Sequence, residues 1–167
     1  MNLYLLRHGL AGEHHPRRWP DDSLRPLTLK GERRLREIAR AMRALELSFN
    51  LILCSPYVRT RQTAGIVVEV FKSRKPPVPA PELAPDGDPK SLIERLHKLK
   101  PAPKNVLLVG HEPYLGQLTG LLATGNTQAA VEFKKGGLCK LEIETLRYGR
   151  CATLAWLLTP KQMLLMS

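Results

Sequence analysis

The sequence predicts a three-layer α/β/α sandwich: a mainly parallel central sheet with late antiparallel edge strands, formed by one domain over residues 1–167. Three observations carry this. Apolar runs within 2–6, 51–54 and 105–109 lack polar alternation, as strands buried on both faces do. Helical periodicity separates them. The chain of 167 residues, 43% apolar and 25% charged, suits one compact core.

Taken in order, the first strand is Leu3-Tyr4-Leu5-Leu6 with its flanks. A first helix is expected from Thr28, as N-cap, to about residue 47. Leu35, Ile38, Ala39, Met42 and Leu45 form its apolar stripe, opposite Arg33, Arg34, Arg36, Arg40 and Arg43. Glu32 lies one position past the capping-box site, so a cap is expected without a box. Helices are also expected at 57–71, 90–99 and 114–123, and an antiparallel pair at 137–146 and 151–158 around Arg147–Arg150. Residues 74–89 hold Pro76, Pro77, Pro79, Pro81, Pro85 and Pro89. They are expected to form a shaped loop, because each proline removes a donor and restricts its predecessor.

The net charge of +11 suggests a nucleic-acid ligand, but much of it lies on the outer face of the first helix, where a solvated surface explains it. A positive field also attracts a phosphorylated substrate. No specific nucleic-acid partner is expected. Cys54, Cys139 and Cys151 are odd in number and lie in apolar stretches, which suits reduced thiols. No run approaches the roughly eighteen apolar residues of a membrane span, and the N-terminus enters the first strand without a leader pattern. A soluble, cytoplasmic, monomeric protein without membrane association is expected.

Arg7-His8-Gly9 follows one apolar strand, and Gly110-His111-Glu112 follows another. In open α/β sheets, ligands bind outside the carboxyl ends of the strands. Gly9 and Gly110 are expected where the backbone turns sharply or approaches a ligand. The third strand leads through Ser55 to Arg59 at a helix start, whose free N–H groups favour an anion. Two arginines, two histidines and a helix start make an anion site, and guanidinium groups match a phosphoryl group bidentately. Phosphate or another oxyanion is the expected ligand.

The motifs Leu5-Leu6-Arg7-His8-Gly9, Ser55-Pro56-Tyr57-Val58-Arg59-Thr60-Arg61-Gln62-Thr63-Ala64 and Val109-Gly110-His111-Glu112-Pro113 resemble the histidine phosphatase superfamily, with its phosphoglycerate mutase-like fold. Its small SixA-like phosphohistidine phosphatases are similar in length. They are similar also in Arg25-Pro26-Leu27-Thr28 with Gly31-Glu32, and in Pro81-Glu82-Leu83-Ala84-Pro85 with Gly87-Asp88. The resemblance implies that His8 is the nucleophile, with Arg7, Arg59 and His111 as phosphate ligands, His111 carrying a proton, and Arg25 extending the pocket. It implies a phosphohistidine enzyme intermediate, with no metal and no cofactor required.

Glu82 in the proline-rich loop and Glu112 beside His111 compete as general acid. Each also has a structural reading, Glu82 in a turn and Glu112 at a helix start. A leaving imidazole protonated on its other nitrogen departs neutral without an acid, so a missing acid would favour phosphohistidine. His14-His15 with Glu13 read as a solvated loop rather than a metal site, and His97 as a surface residue. Trp19, Asp21 and Asp22 lie near the site edge, where they could touch a protein substrate.

The expected function is therefore a phosphatase for phosphohistidine on a protein, such as a histidine-containing phosphotransfer domain. A small-molecule phosphomonoesterase or mutase is the alternative, and would call for lid insertions and a clear acid. A basic nucleic-acid-binding protein on an inactive phosphatase scaffold is a third reading, against which Arg7, His8, Arg59 and His111 all stand intact.

Overall fold

The apolar runs become the middle of one six-stranded sheet. In the computed structural model, which describes residues 1–166, the strands are β1 (Asn2–Arg7), β2 (Leu51–Cys54), β3 (Val78–Pro79), β4 (Asn105–Gly110), β5 (Leu138–Ile143) and β6 (Ala152–Leu158). Their order is β3-β2-β4-β1-β5-β6. The first four are mutually parallel where they pair, and β5 runs antiparallel to β1 and β6. Only β6 of the late pair is an edge strand, because β5 lies between it and β1.

Among the described residues five helices cover the sheet: α1 (Leu29–Ala44), α2 (Val58–Phe71), α3 (Pro89–His97), α4 (Tyr114–Thr124) and α5 (Pro160–Leu165). Alternation within the strands sorts the core into two layers. Leu3, Leu5, Leu53 and Leu108 pack with Leu92, Leu115 and Leu118 of α3 and α4. Tyr4, Leu6, Ile52 and Leu107 pack with Leu35, Ile38 and Met42 of α1, Val67 of α2 and Met163 of α5.

Thr28 caps α1 as expected, its hydroxyl accepting from Gly31 N–H at 2.9 Å. The helix stops at Ala44, short of residue 47, where Glu46 takes a φ of 56° that helical geometry excludes. The proline-rich segment contributes β3, two residues long and paired with β2 alone, a position at the sheet's edge where proline is tolerated. Helix α5 went unanticipated although its signal is local: Thr159 and Gln162 form a capping box around Pro160 at the first turn. All three cysteines are free. Among the described residues no helix is long and apolar enough to cross a membrane.

The register matters most for function. Arg7 pairs with Gly110 and Cys54 with Val109, so β1, β2 and β4 end level with one another. The three following segments therefore emerge at one edge.

Candidate active site

His8 leaves β1 with its backbone held on several sides. Its N–H donates to Gly110 O, and Gly136 N–H is within 3.1 Å of both Arg7 O and His8 O. Gly9 N–H donates to Thr63 Oγ1 at 3.2 Å, tying the loop to α2. The His8 ring is 5% exposed, with Nδ1 2.7 Å from Gly9 O. A carbonyl can only accept, so Nδ1 carries the hydrogen and Nε2 keeps its lone pair. That nitrogen faces Arg59 Nε at 3.3 Å. Burial above all, with Arg59, Arg7 and Lys135 nearby, pulls the His8 pKa down to about 3 against the opposing Gly9 hydrogen bond. The ring is therefore neutral at physiological pH.

Arg59 projects from the first turn of α2 and is 4% exposed. Besides its contact with His8, Nη1 donates to Asp22 O at 2.8 Å and Nη2 to Asp22 Oδ2 at 2.9 Å. Its guanidinium carbon lies 4.9 Å from the centre of the Tyr57 ring. Arg7 Nη1 donates to Phe133 O at 2.6 Å, while its buried Nε has no partner within the protein.

His111 follows β4 and is 2% exposed, its ring centroid 5.3 Å from that of His8. Ser55, directly after β2, meets its Nε2 at 2.8 Å, and the buried Nδ1 of His111 is without a protein partner. Burial, then His8 and Arg59, lower its pKa to about 3. The expectation that His111 carries a proton is thus not met by the protein groups alone, because two guanidinium groups and a low-polarity setting all disfavour the cation. A phosphoryl dianion acts in the opposite direction.

The structure brings Arg7, His8, Arg59 and His111 together. Arg25 joins through Asp22, donating from Nε to Asp22 Oδ1 at 2.8 Å and from Nη1 to Gly12 O at 2.6 Å. Asp22, noted in the sequence only as a residue near the site edge, is the bridge between the two arginines, and its (i, i+3) spacing from Arg25 on the 3-10 turn Asp22–Leu24 was the available signal. Ser55 opens the motif that leads to Arg59, but its contact with His111 has no local signal, and nothing local marks Phe133.

The two candidate acids have other partners. Glu82 pairs with Arg95 at 3.0 Å. Glu112 accepts from Phe133 N–H at 2.8 Å, and burial first of all raises its pKa. Among the described residues neither carboxylate bonds a nitrogen of His8. Gly9 and Gly110 adopt ordinary φ, and a Cβ there would meet side chains of Leu27 or Leu115. Close backbone approaches occur at other glycines, among them Gly31, where a Cβ would lie 2.1 Å from Leu10 O, and Gly87, where it would lie 2.1 Å from Glu82 O. Glu13, His14 and His15 are exposed, His15 accepting from Arg18 N–H. Among the described residues no group of three or more His, Cys, Asp or Glu is placed to hold a metal ion. Trp19, with Arg18, Leu27 and Thr28, lines a cavity of about 540 Å³ in the loop after β1.

Known proteins place this geometry. The family model of the histidine phosphatase superfamily (branch 1) matches residues 3–84. Phosphohistidine phosphatase SixA of Escherichia coli K12 is 30% identical over 128 residues, covering 76% of this chain and 77% of its own. A solved structure of the protein histidine phosphatase SixA with tungstate superposes with a TM-score of 0.82 at 25% identity, over 96% of this chain and 98% of that one. Phosphoserine phosphatase of Entamoeba histolytica with phosphoserine shares the fold at a TM-score of 0.67 and 15% identity, over 96% of this chain and 98% of that one. With strand ends, arginines and paired histidines arranged in this way, the chain belongs to the histidine phosphatase superfamily, on its SixA-like side.

Proposed function

We propose that this protein removes phosphate from a phosphohistidine borne on another protein, by way of a phosphohistidine intermediate on His8. The observation that carries the reading is the His8 ring: buried, neutral, tautomerically fixed by Gly9 O, and with Nε2 facing Arg59.

The His8 Nε2 lone pair attacks phosphorus in line, and the substrate P–N bond breaks with its electron pair going to the departing imidazole. That imidazole holds a hydrogen on its other nitrogen and leaves neutral. Arg7, Arg59 and His111 then face the charge spread over the equatorial oxygens. As His8 becomes phosphorylated and gains positive character, Gly9 O accepts from Nδ1–H and supports it. In the second step water attacks phosphorus, the P–Nε2 bond breaks, and the water proton leaves with the phosphate, regenerating neutral His8.

Two further observations favour phosphohistidine over a phosphate ester. An alkoxide leaving group needs a proton donor, and Glu82 and Glu112 are both engaged elsewhere. The curated relative at 30% identity is a phosphohistidine phosphatase. The small-molecule reading has support in fold neighbours such as the phosphoserine phosphatase. We further propose that catalysis needs no metal, and that the protein acts as a cytoplasmic monomer without a nucleic-acid or membrane partner.

The test compares kcat/KM on a phosphohistidine protein with that on phosphoserine, sugar phosphates and 3-phosphoglycerate, with and without a chelator. Faster turnover of the phosphohistidine protein, unchanged by chelation, is expected. Preference for a phosphate ester would move the reading to the small-molecule class.

A further inference from the structure

Asp22 makes three contacts with guanidinium groups. Oδ1 accepts from Arg25 Nε at 2.8 Å, Oδ2 from Arg59 Nη2 at 2.9 Å, and its backbone carbonyl from Arg59 Nη1 at 2.8 Å. Both outer nitrogens of Arg59 are thereby held, and the third nitrogen, Nε, is turned to His8 Nε2. The turn that carries Asp22 is itself fixed, since Asp21 accepts from Ser23 N–H at 2.9 Å. Arg7 differs: it donates to the uncharged carbonyl of Phe133. One residue therefore orients two of the three site arginines and sets a carboxylate directly against both.

We propose that Asp22 is a positioning residue with two effects: it holds Arg59 edge-on to the nucleophile, and as an internal anion it limits how tightly the pocket retains free phosphate. The proposal rests on the phosphate pocket at His8 described above. Positioned donors serve the transition state only if their geometry is set beforehand, and a bidentate clamp sets the plane of a long, flexible side chain. Binding strength spent equally on product and transition state gives no gain in turnover. A carboxylate competing for the same guanidinium donors weakens product binding, while its fixed geometry preserves alignment.

The two effects move in opposite directions when the carboxylate is lost, as a merely structural role would not. The experiment uses the full chain with Asp22→Asn and Asp22→Ala. Affinity for inorganic phosphate is measured by calorimetry, and the single-turnover rate of His8 phosphorylation by rapid quench. Phosphate is expected to bind roughly three- to tenfold more tightly, the scale of removing one partly exposed like-for-like competitor charge. Phosphorylation of His8 is expected to slow about tenfold or more, the scale of a small misplacement of a catalytic group. Thermal denaturation run alongside separates folding from function. Weaker phosphate binding together with slower phosphorylation overturns the proposal, as does no change in either. The phosphate measurement needs no phosphohistidine substrate, so it reads Asp22 even where the choice of substrate proposed above fails.

Discussion

The arginines of α1 and the arginines of the site are the same residue under opposite conditions. Arg33, Arg34 and Arg40 face solvent, and Arg36 reaches Glu69 at 3.3 Å and Glu32 at 3.9 Å across exposed surface. Arg59 is buried and held at each of its three nitrogens. Exposed ion pairs are screened and contribute little, whereas buried, oriented guanidinium groups act at close range in a setting of lower polarity. Net charge therefore says little about this protein's chemistry. What counts is which cations are desolvated and held.

Substitutions can break that comparison, and the largest effect should come from the group the buried arginines serve. His8→Ala is expected to lower kcat by at least about 10³-fold, because it removes the attacking atom. Single-turnover kinetics on a phosphorylated substrate measure this, and substantial residual phosphoryl transfer would place the nucleophile elsewhere. Next is Arg59→Lys, which keeps the charge but replaces the fork with a point donor that cannot meet Asp22 and His8 together. About a 10²-fold loss in kcat/KM is expected, on the scale of removing a transition-state donor.

A third prediction concerns stability. His8 and His111 have folded pKa values of about 3, well below the 6.5 of an unfolded histidine. Below that value the unfolded chain binds protons that the folded one does not. Their contribution is therefore full above about pH 6.5 and is lost progressively as pH falls toward about 3. Urea unfolding should show stability declining over that window, and His8→Asn should flatten the decline. An unchanged slope would contradict the burial of a neutral ring. The smallest effect belongs to the solvated arginines: the triple variant Arg33→Gln, Arg34→Gln, Arg40→Gln should leave kcat/KM on a small phosphorylated substrate within about twofold at physiological salt. A large loss would mean that the outer face takes part in the chemistry.

Much of this was legible in sequence because it is local. Strands buried on both faces read as unbroken apolar runs, and α1 as a periodic stripe with Thr28 at its start. Positions after those runs placed Arg7, His8, Arg59 and His111 at one edge. What stayed hidden depends on contacts distant in sequence: Ser55 against His111, Phe133 O on Arg7, and Asp22 on Arg59 are 56, 126 and 37 residues apart. The partners of Glu82 and Glu112 were hidden for the same reason. In the case of α5 the information was present, since Thr159-Pro160 and Gln162 spell out a helix start.

The most direct measurement is to mix the protein with a phosphohistidine-bearing protein, quench within one turnover, and locate the phosphate. The account predicts an acid-labile, base-stable phosphoryl group on His8 that disappears at the rate of phosphate release. Phosphate on any other residue, or release with no phosphorylated His8 along the way, would contradict it.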